Sequence, residues 1–595
     1  MLSALTRRIY GAPKPAVLSL GVQAETYTPP REQSQFETLT RHILFRFFHN
    51  ELLGTDDETK RVMQIAYAVA LPTLVVTLFL FPLYHAFPPN PPHRPFWPQV
   101  SDHYFCVMYA FIAMGAATVY EWDLLFPDLL DVFILSPLPI EARRLFLARV
   151  LALAIFLGLV LIGTSAFGII MLPAVAEAPR YFHHAFAHAT AVFAAGLFTA
   201  TTFLALQGIL LNILGENIVR KLTPILQGAS IMILLAILLL HPTISGSLKP
   251  ILTSAQHAAL YFPPFWFLGI YERLLNGPSA PAIFHQLARN GLIALAITTT
   301  LTLLTYPLAY RRRVRQLIEG GTAVKSINRA AIPIHGLLHL TLLRQPARRA
   351  IFHFISQTIL RAQRQRVMLA MYAGMALAMA VSEVLGLRVT NNHIHAYLLP
   401  KGVREAIPIM AFWTVAGLRA VLTNPVDRRG TWLFRTIIGR PQSANFAAAR
   451  LWVTLWAAAI SSATALTLYA LSPTTPLALA AHLTAAIGVS ILLADLFLYP
   501  DRNVPFTHLR KSAITDLPFV VMRYVIAFPL IVYNVAYNES WTETSLPHLL
   551  RTIGFYLVAH ALLQLAHAFS VNQSTLQTPP DESDEFPQRL GLRDA

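Results

Sequence analysis

Residues 145–172 read LFLARVLALAIFLGLVLIGTSAFGIIML, an apolar run broken by one charge, Arg149. A helix needs about 20 mostly apolar residues to cross the hydrocarbon core of a bilayer. This run exceeds that length, and comparable runs recur along the chain. They lie near 63–85, 103–125, 186–214, 224–241, 284–310, 367–387, 406–423, 447–471, 475–499, 517–536 and 549–570. The pattern predicts an all-α polytopic membrane protein with about twelve transmembrane helices.

Composition points the same way. Of 595 residues, 55% are hydrophobic and only 13% are charged. A soluble chain carries roughly a quarter charged residues, so disorder is excluded and a string of cytosolic domains is disfavoured. The single cysteine, Cys106, excludes internal disulfides and any cysteine-based zinc or iron–sulfur site. A net charge of +16 would suggest nucleic acid in a soluble protein. Among membrane spans it reads instead as basic loops beside an anionic leaflet, so lipids and not nucleic acid are the expected partners.

The basic residues orient the spans. The segment 311–366 holds twelve Lys and Arg residues, from Arg311 to Arg366, against one acid, Glu319. Arg143, Arg144, Arg149, Arg220, Lys221, Arg450, Arg502, Arg510 and Lys511 fall on the same side. The positive-inside rule therefore predicts cytoplasmic N and C termini and a cytoplasmic central linker. Residues 250–271, ILTSAQHAALYFPPFWFLGIYE, are apolar but broken by Pro263 and Pro264. As a full span they would invert everything downstream. They are read as a re-entrant or interfacial hairpin on the outer face, with Tyr261, Phe262, Phe265, Trp266 and Tyr271 as an aromatic belt.

The expected organisation is a cytoplasmic segment 1–62, a six-span half 63–310, a basic linker 311–366, a second six-span half 367–570 and a polar tail 571–595. No secretory signal is read at the N-terminus. Within 1–62, Phe36, Leu39, Ile43, Leu44, Phe47 and Phe48 recur at helical spacing between Arg41, His42, Arg46 and His49. That predicts an interfacial helix on the inner leaflet, or a helix packed on other cytosolic segments. The halves share faint correspondences: Gly115 with Gly417, Pro139 with Pro441, and Ala148-Arg149 with Ala449-Arg450.

The loop after the second span runs Glu121-Trp-Asp123-Leu-Leu-Phe-Pro127-Asp128-Leu-Leu-Asp131-Val-Phe-Ile-Leu-Ser136-Pro137-Leu-Pro139. Pro127 and Asp128 can open a short helix, with Asp131 in its first turn where the dipole favours an anion. Pro137 and Pro139 end it. Such a stiff element suits docking to a cytoplasmic partner, and the alternative is an ordinary interfacial loop. Asp123, Asp128, Asp131, Pro137 and Pro139 are the candidate docking residues. The loop after the eighth span presents Arg428, Arg429, Arg435 and Arg440 as an unlike, basic counterpart.

Here the chain resembles the permease subunits of ABC-2-type ABC transporters. Those carry an N-terminal interfacial helix, six spans, a coupling helix between spans two and three, and a re-entrant outer segment between spans five and six. The first half matches in order through Phe36–His49, the spans, Asp128–Leu135 and Ser254–Leu274. Leu135-Ser-Pro-Leu-Pro139 with Arg143, Arg144 and Arg149 is similar to the loop of those permeases, as are Phe262-Pro-Pro-Phe-Trp-Phe-Leu-Gly-Ile-Tyr-Glu272 and Val504-Pro-Phe-Thr507. The second half departs from the pattern: its outer loop near Tyr537–Pro547 is short and its coupling segment basic. The resemblance implies an exporter permease of a bacterial inner membrane, itself no enzyme and without cofactors, worked by a separate ATPase subunit within a larger membrane complex. Gly320-Gly-Thr-Ala-Val-Lys325-Ser326 lacks the glycine immediately before lysine that a phosphate loop needs.

Ionisable residues within spans are functional candidates by default. Glu383 and Arg419 lie in or near spans seven and eight and are expected to line a pathway or pair with each other. Asp495 is expected near the cytoplasmic end of its span, reaching the interface. His184 and His188 stand one turn apart at the outer end of span four beside His183, a spacing that could seat a metal but with no third ligand evident, so an interfacial histidine cluster and no metal are expected. His560 and His567 share a face of the last span as packing or hydrogen-bonding residues. Asp427-Arg428-Arg429-Gly430 is similar to the loop signature of major-facilitator transporters, without a counterpart after span two. The rival expectations are an ion-coupled twelve-span secondary transporter using Glu383, Arg419 or Asp495, a membrane-embedded enzyme, and a non-transporting accessory subunit.

Overall fold

A computed structural model describes residues 35–48, 58–84, 94–122, 124–127, 129–135, 140–176, 180–214, 216–319, 343–390, 393–423, 443–472, 474–498, 506 and 513–574. Nearly all of these are helical, and ten of the described helices are long and apolar enough to cross a membrane. The chain is a predominantly α-helical, polytopic membrane protein. Two further helices fall where spans are expected, Glu58–Tyr84 and Ala513–Thr542, at 27 and 30 residues. The chain forms two compact units that interleave in sequence. One comprises Met1–Arg329, Ala373–Leu399 and Arg510–Val525, the other Ala330–Tyr372, Pro400–Leu509 and Ile526–Ala595.

In the first unit, α1 (Gln35–Phe48), α2 (Glu58–Tyr84) and α3 (Phe96–Tyr120) are followed by the short α4 (Leu129–Leu135). Then come α5 (Ala142–Val175), α6 (Tyr181–Ile213) and α7 (Glu216–Leu239). Helix α3 is the core of the unit, with Val100, Tyr104, Val107 and Met108 fully buried. It packs on α6, where Ala187, Ala191 and Ala195 recur every four residues and are also fully buried. Small side chains at that spacing let two helices approach closely, the usual basis of helix packing in lipid. Beyond Tyr120 the chain leaves the helix, and its carbonyls need donors in an apolar setting. Gln227 donates to the Val119 carbonyl at 3.3 Å, Gln207 to that of Trp122 at 2.9 Å, and Tyr306 to that of Leu125 at 2.6 Å.

The segment 241–276, which contains the expected outer hairpin 250–271, forms α8 (His241–Gly246), α9 (Leu248–Thr253), α10 (Gln256–Ala259) and α11 (Pro263–Asn276), leading to α12 (Ala282–Glu319). None of the first four is long enough to span. Pro263 and Pro264 open α11, where a missing amide costs nothing. The expected aromatic belt is corrected: Tyr261 is exposed, but Phe265 and Tyr271 are buried in the core. The reason is a close seat of α11 on α12. A methyl group at Gly269 would stand 2.7 Å from the Ala288 nitrogen and 2.9 Å from the Phe284 carbonyl. Backbone cannot yield as a side chain can, so Gly269→Ala is expected to destabilise by about 1–3 kcal/mol. Gly158→Ala, with nothing within 4 Å, should not. Thermal melting of both variants in detergent checks this, and equal melting would remove the argument.

A second correction concerns α1. Its apolar face does not lie open to lipid: Leu39, Ile43, Leu44 and Phe47 are buried in a cluster with Phe156 and other residues of α5. Phe47 stacks on Phe156 at 4.9 Å. Most of the apolar residues left exposed are on the spans, such as Leu303, Leu304 and Leu308 of α12.

After α13 (Pro346–Arg361) and α14 (Gln363–Val384), an antiparallel hairpin of β1 (Leu385–Thr390) and β2 (His393–Leu398) interrupts the helices. Its Leu387, Val389 and Ile394 pack on the first unit's core. The second unit is built from α13, α15 (Pro400–Thr423), α16 (Ser443–Leu471), α17 (Pro476–Leu498), the later part of α18 (Ala513–Thr542), and α19 (Leu546–Ser574). Helices α15, α16 and α17 pack mutually through Ile407, Ala465, Ala485 and Ala486. Helix α19 touches α17 and exposes Phe555, Leu557, Leu562, Leu565 and Phe569, an apolar surface suited to lipid.

Candidate functional site

Burying ionisable groups among apolar helices is costly unless they are paired, so the polar clusters in each unit stand out. In the first unit, His103 lies on α3, His184 and His188 lie four residues apart on one face of α6, and Tyr271-Glu272 sits in the middle of α11. The Pro-Pro start of α11 and the close seat at Gly269 bring this dipeptide against the other two helices. His103 Nδ1 bonds Glu272 Oε1 at 2.7 Å, with the side chains 2% and 1% exposed. Asn276 donates to the second Glu272 oxygen at 2.8 Å. The Tyr271 hydroxyl meets His184 Nε2 at 2.9 Å and His188 Nδ1 at 3.2 Å. A phenol can donate to one imidazole and accept from the other, so both bonds can coexist. The His103 ring lies 4.2 Å from that of Tyr271 and edge-on to His184 at 5.3 Å. Nearby on α3, Asp102 accepts from Arg94 Nε and Nη2, at 2.7 and 2.8 Å, and from the Tyr84 hydroxyl at 2.9 Å.

The second unit has a counterpart. His482, in the second turn of α17, bonds Glu539 at the end of α18, and both are buried. Glu543 follows, its Oε1 3.9 Å from His482 Nδ1 and 3.9 Å from Arg404 Nε on α15. Each half thus pairs a histidine, near the start of a span, with a glutamate from the segment between its fifth and sixth expected spans. Farther along α17, Asp495 is 2% exposed. His560 and Gln564 of α19 reach its two oxygens at 2.5 and 2.9 Å, and Arg450 of α16 lies 3.6 Å away. Asp495 therefore does not extend to an interface, and His560 serves as its partner. His567 reaches its carbonyl at 3.4 Å.

The docking candidates divide. Asp123, Asp128, Pro137, Pro139, Arg428, Arg429, Arg435 and Arg440 lie outside the described residues. Asp131, in the first turn of α4, is bonded by Arg46 of α1 and by Arg149 of α5, the latter at 3.0 Å. Its carboxylate is 12% exposed, so it is occupied within the chain. Among the described side chains of α4, those facing outward are Phe133 and Ile134, 64% and 62% exposed. Glu383 is exposed in the last turn of α14, in the first unit, and Arg419 is half-buried in α15, in the second. His184 and His188 are buried rather than interfacial, and His183 is exposed.

Sequence reasoning missed His103, Glu272, His482, Glu539 and Glu543. Two signals were present: Glu272, eight residues after the double proline in an apolar segment, and Glu539 and Glu543 at helical spacing just beyond an apolar run. Neither names its histidine, which lies 169 residues away for Glu272 and 57 for Glu539. No protein-family model, no curated protein and no solved structure matches this chain.

Proposed function

We propose that this chain is the membrane-spanning permease of an exporter in a bacterial inner membrane, driven by a separate ATPase. On this reading the chain spans twelve times, with both termini and the basic linker in the cytoplasm. The observation that carries it is the seat of α4. This short helix follows the second span and is clamped through Asp131 to α1 and to the start of the third span. A force applied to α4 is therefore passed to Arg149 on a long spanning helix and to the helix packed beside it. On this reading the partner's contact includes the exposed Phe133-Ile134 pair, because Asp131, one of the three acids expected to make it, is already bonded and Asp123 and Asp128 lie outside the described residues.

The experiment is purification from native membranes under mild detergent, followed by reconstitution. A co-purifying ATPase and transport that requires ATP support the proposal. A second reading draws on the buried His103–Glu272 and His482–Glu539 pairs, which could carry protons. It expects uptake or efflux driven by a pH gradient with no nucleotide. That outcome overturns the ATPase-driven reading.

A further inference from the structure

The cluster at the start of α17 holds more than an export pathway needs. Glu539-Ser-Trp-Thr-Glu543 spaces two carboxylates four residues apart. The Glu543 amide bonds the Glu539 carbonyl at 3.0 Å, so the helical turn continues and both acids share one face. One donor atom from each of His482, Glu539 and Glu543 lies within 4.8 Å of the other two. The side chains of His482 and Glu539 are 4% and 1% exposed, and Glu543 is 25% exposed.

The simplest account is an ordinary buried imidazole–carboxylate bond. That satisfies His482 Nδ1 and Glu539 Oε1 and leaves two things unexplained. Glu539 Oε2 is fully buried and has no hydrogen-bond partner among the described residues, although an unmet buried acceptor costs about 1–3 kcal/mol or more. A second carboxylate also stands beside the first, held only loosely by Arg404 at 3.9 Å. A bound cation resolves both. Two carboxylates and a neutral imidazole cancel the charge of a divalent ion, which suits a low-dielectric setting.

We propose that His482, Glu539 and Glu543 bind a divalent transition-metal ion. One imidazole nitrogen with two carboxylate oxygens favours the zinc and manganese class over calcium or magnesium, which prefer oxygen alone. Ligand atoms about 2.1 Å from a tetrahedral ion stand roughly 3.4 Å apart, so the three donors are already close to the spacing required. Three protein ligands leave a fourth position of a tetrahedral ion for water, and Glu543, 25% exposed, is the ligand nearest to solvent.

The test uses full-length protein in detergent, stripped with a chelator and titrated with Co2+ by visible absorption and with Zn2+ by calorimetry. The expected result is one saturable site per chain, whose cobalt spectrum zinc abolishes. Glu543→Gln, at a partly exposed position with little folding risk, should weaken binding at least tenfold, since even loss of an outer-shell partner costs about 10–100-fold. Glu539→Gln should do the same. His548→Ala removes a half-buried histidine of α19 that bonds Thr544 and Ser545 and should change nothing. Absence of saturable binding overturns the proposal. So does binding that survives Glu543→Gln, or binding lost in His548→Ala. None of these outcomes depends on whether an ATPase drives the protein.

Discussion

Glu272→Ala is expected to destabilise the first unit by about 3–5 kcal/mol, because it strands His103 in a site that excludes water. The pair is almost fully buried, and Asn276 would lose its acceptor as well. His103→Leu should cost a similar amount, leaving Glu272 with only Asn276. Removing both with leucines should cost much less than the sum, because no lone polar group then remains. A double-mutant cycle on melting temperature in detergent measures this coupling. Simple additivity would show that the two side chains are not an energetic unit. The cycle also bears on mechanism: if the double-leucine protein folds and still transports with ATP, the pair is structural and the proton-driven reading fails.

Asp131→Ala is expected to have an effect of comparable size at the other end of the first unit. Arg149 is 5% exposed and its Nε already lacks a partner among the described residues. Without Asp131 it keeps only neutral acceptors among the described residues, the Leu124 carbonyl at 3.4 Å and the Tyr310 hydroxyl, weak replacements for a carboxylate. The cost is again about 3–5 kcal/mol for a buried, uncompensated charge. Arg46 on α1 would be released too, so limited proteolysis should cut near residues 35–48 sooner. This changes how docking must be tested. Exchanging Asp131 for lysine would place a third cation against Arg46 and Arg149 and would loosen α4 whether or not a partner binds there. Phe133→Ser with Ile134→Ser is the cleaner probe, expected to release the ATPase while leaving the melting temperature unchanged. An Asp131→Ala protein that melts like the wild type would remove the clamp, and with it the support for α4 as a lever.

The sequence by itself determined that this chain crosses a membrane repeatedly as helices. Apolar runs such as 145–172 leave the backbone no other way to satisfy its hydrogen bonds in lipid. It also located the short helix after the second span, whose turn begins at Leu129 beside the prolines and acids that announce it, and it excluded a thiolate metal site through its one cysteine. Only the tertiary structure decided which polar groups meet. Periodicity describes one helix at a time, whereas His103 finds Glu272, His482 finds Glu539, and Asp131 finds Arg46 and Arg149 across separate helices. Those pairings follow from small residues that let helices close up, from Gly269 seating α11 on α12, and from the cost of leaving any of these charges alone. The same packing turned the expected aromatic belt inward and took α1 off the lipid, because both faces had a protein surface available to bury them.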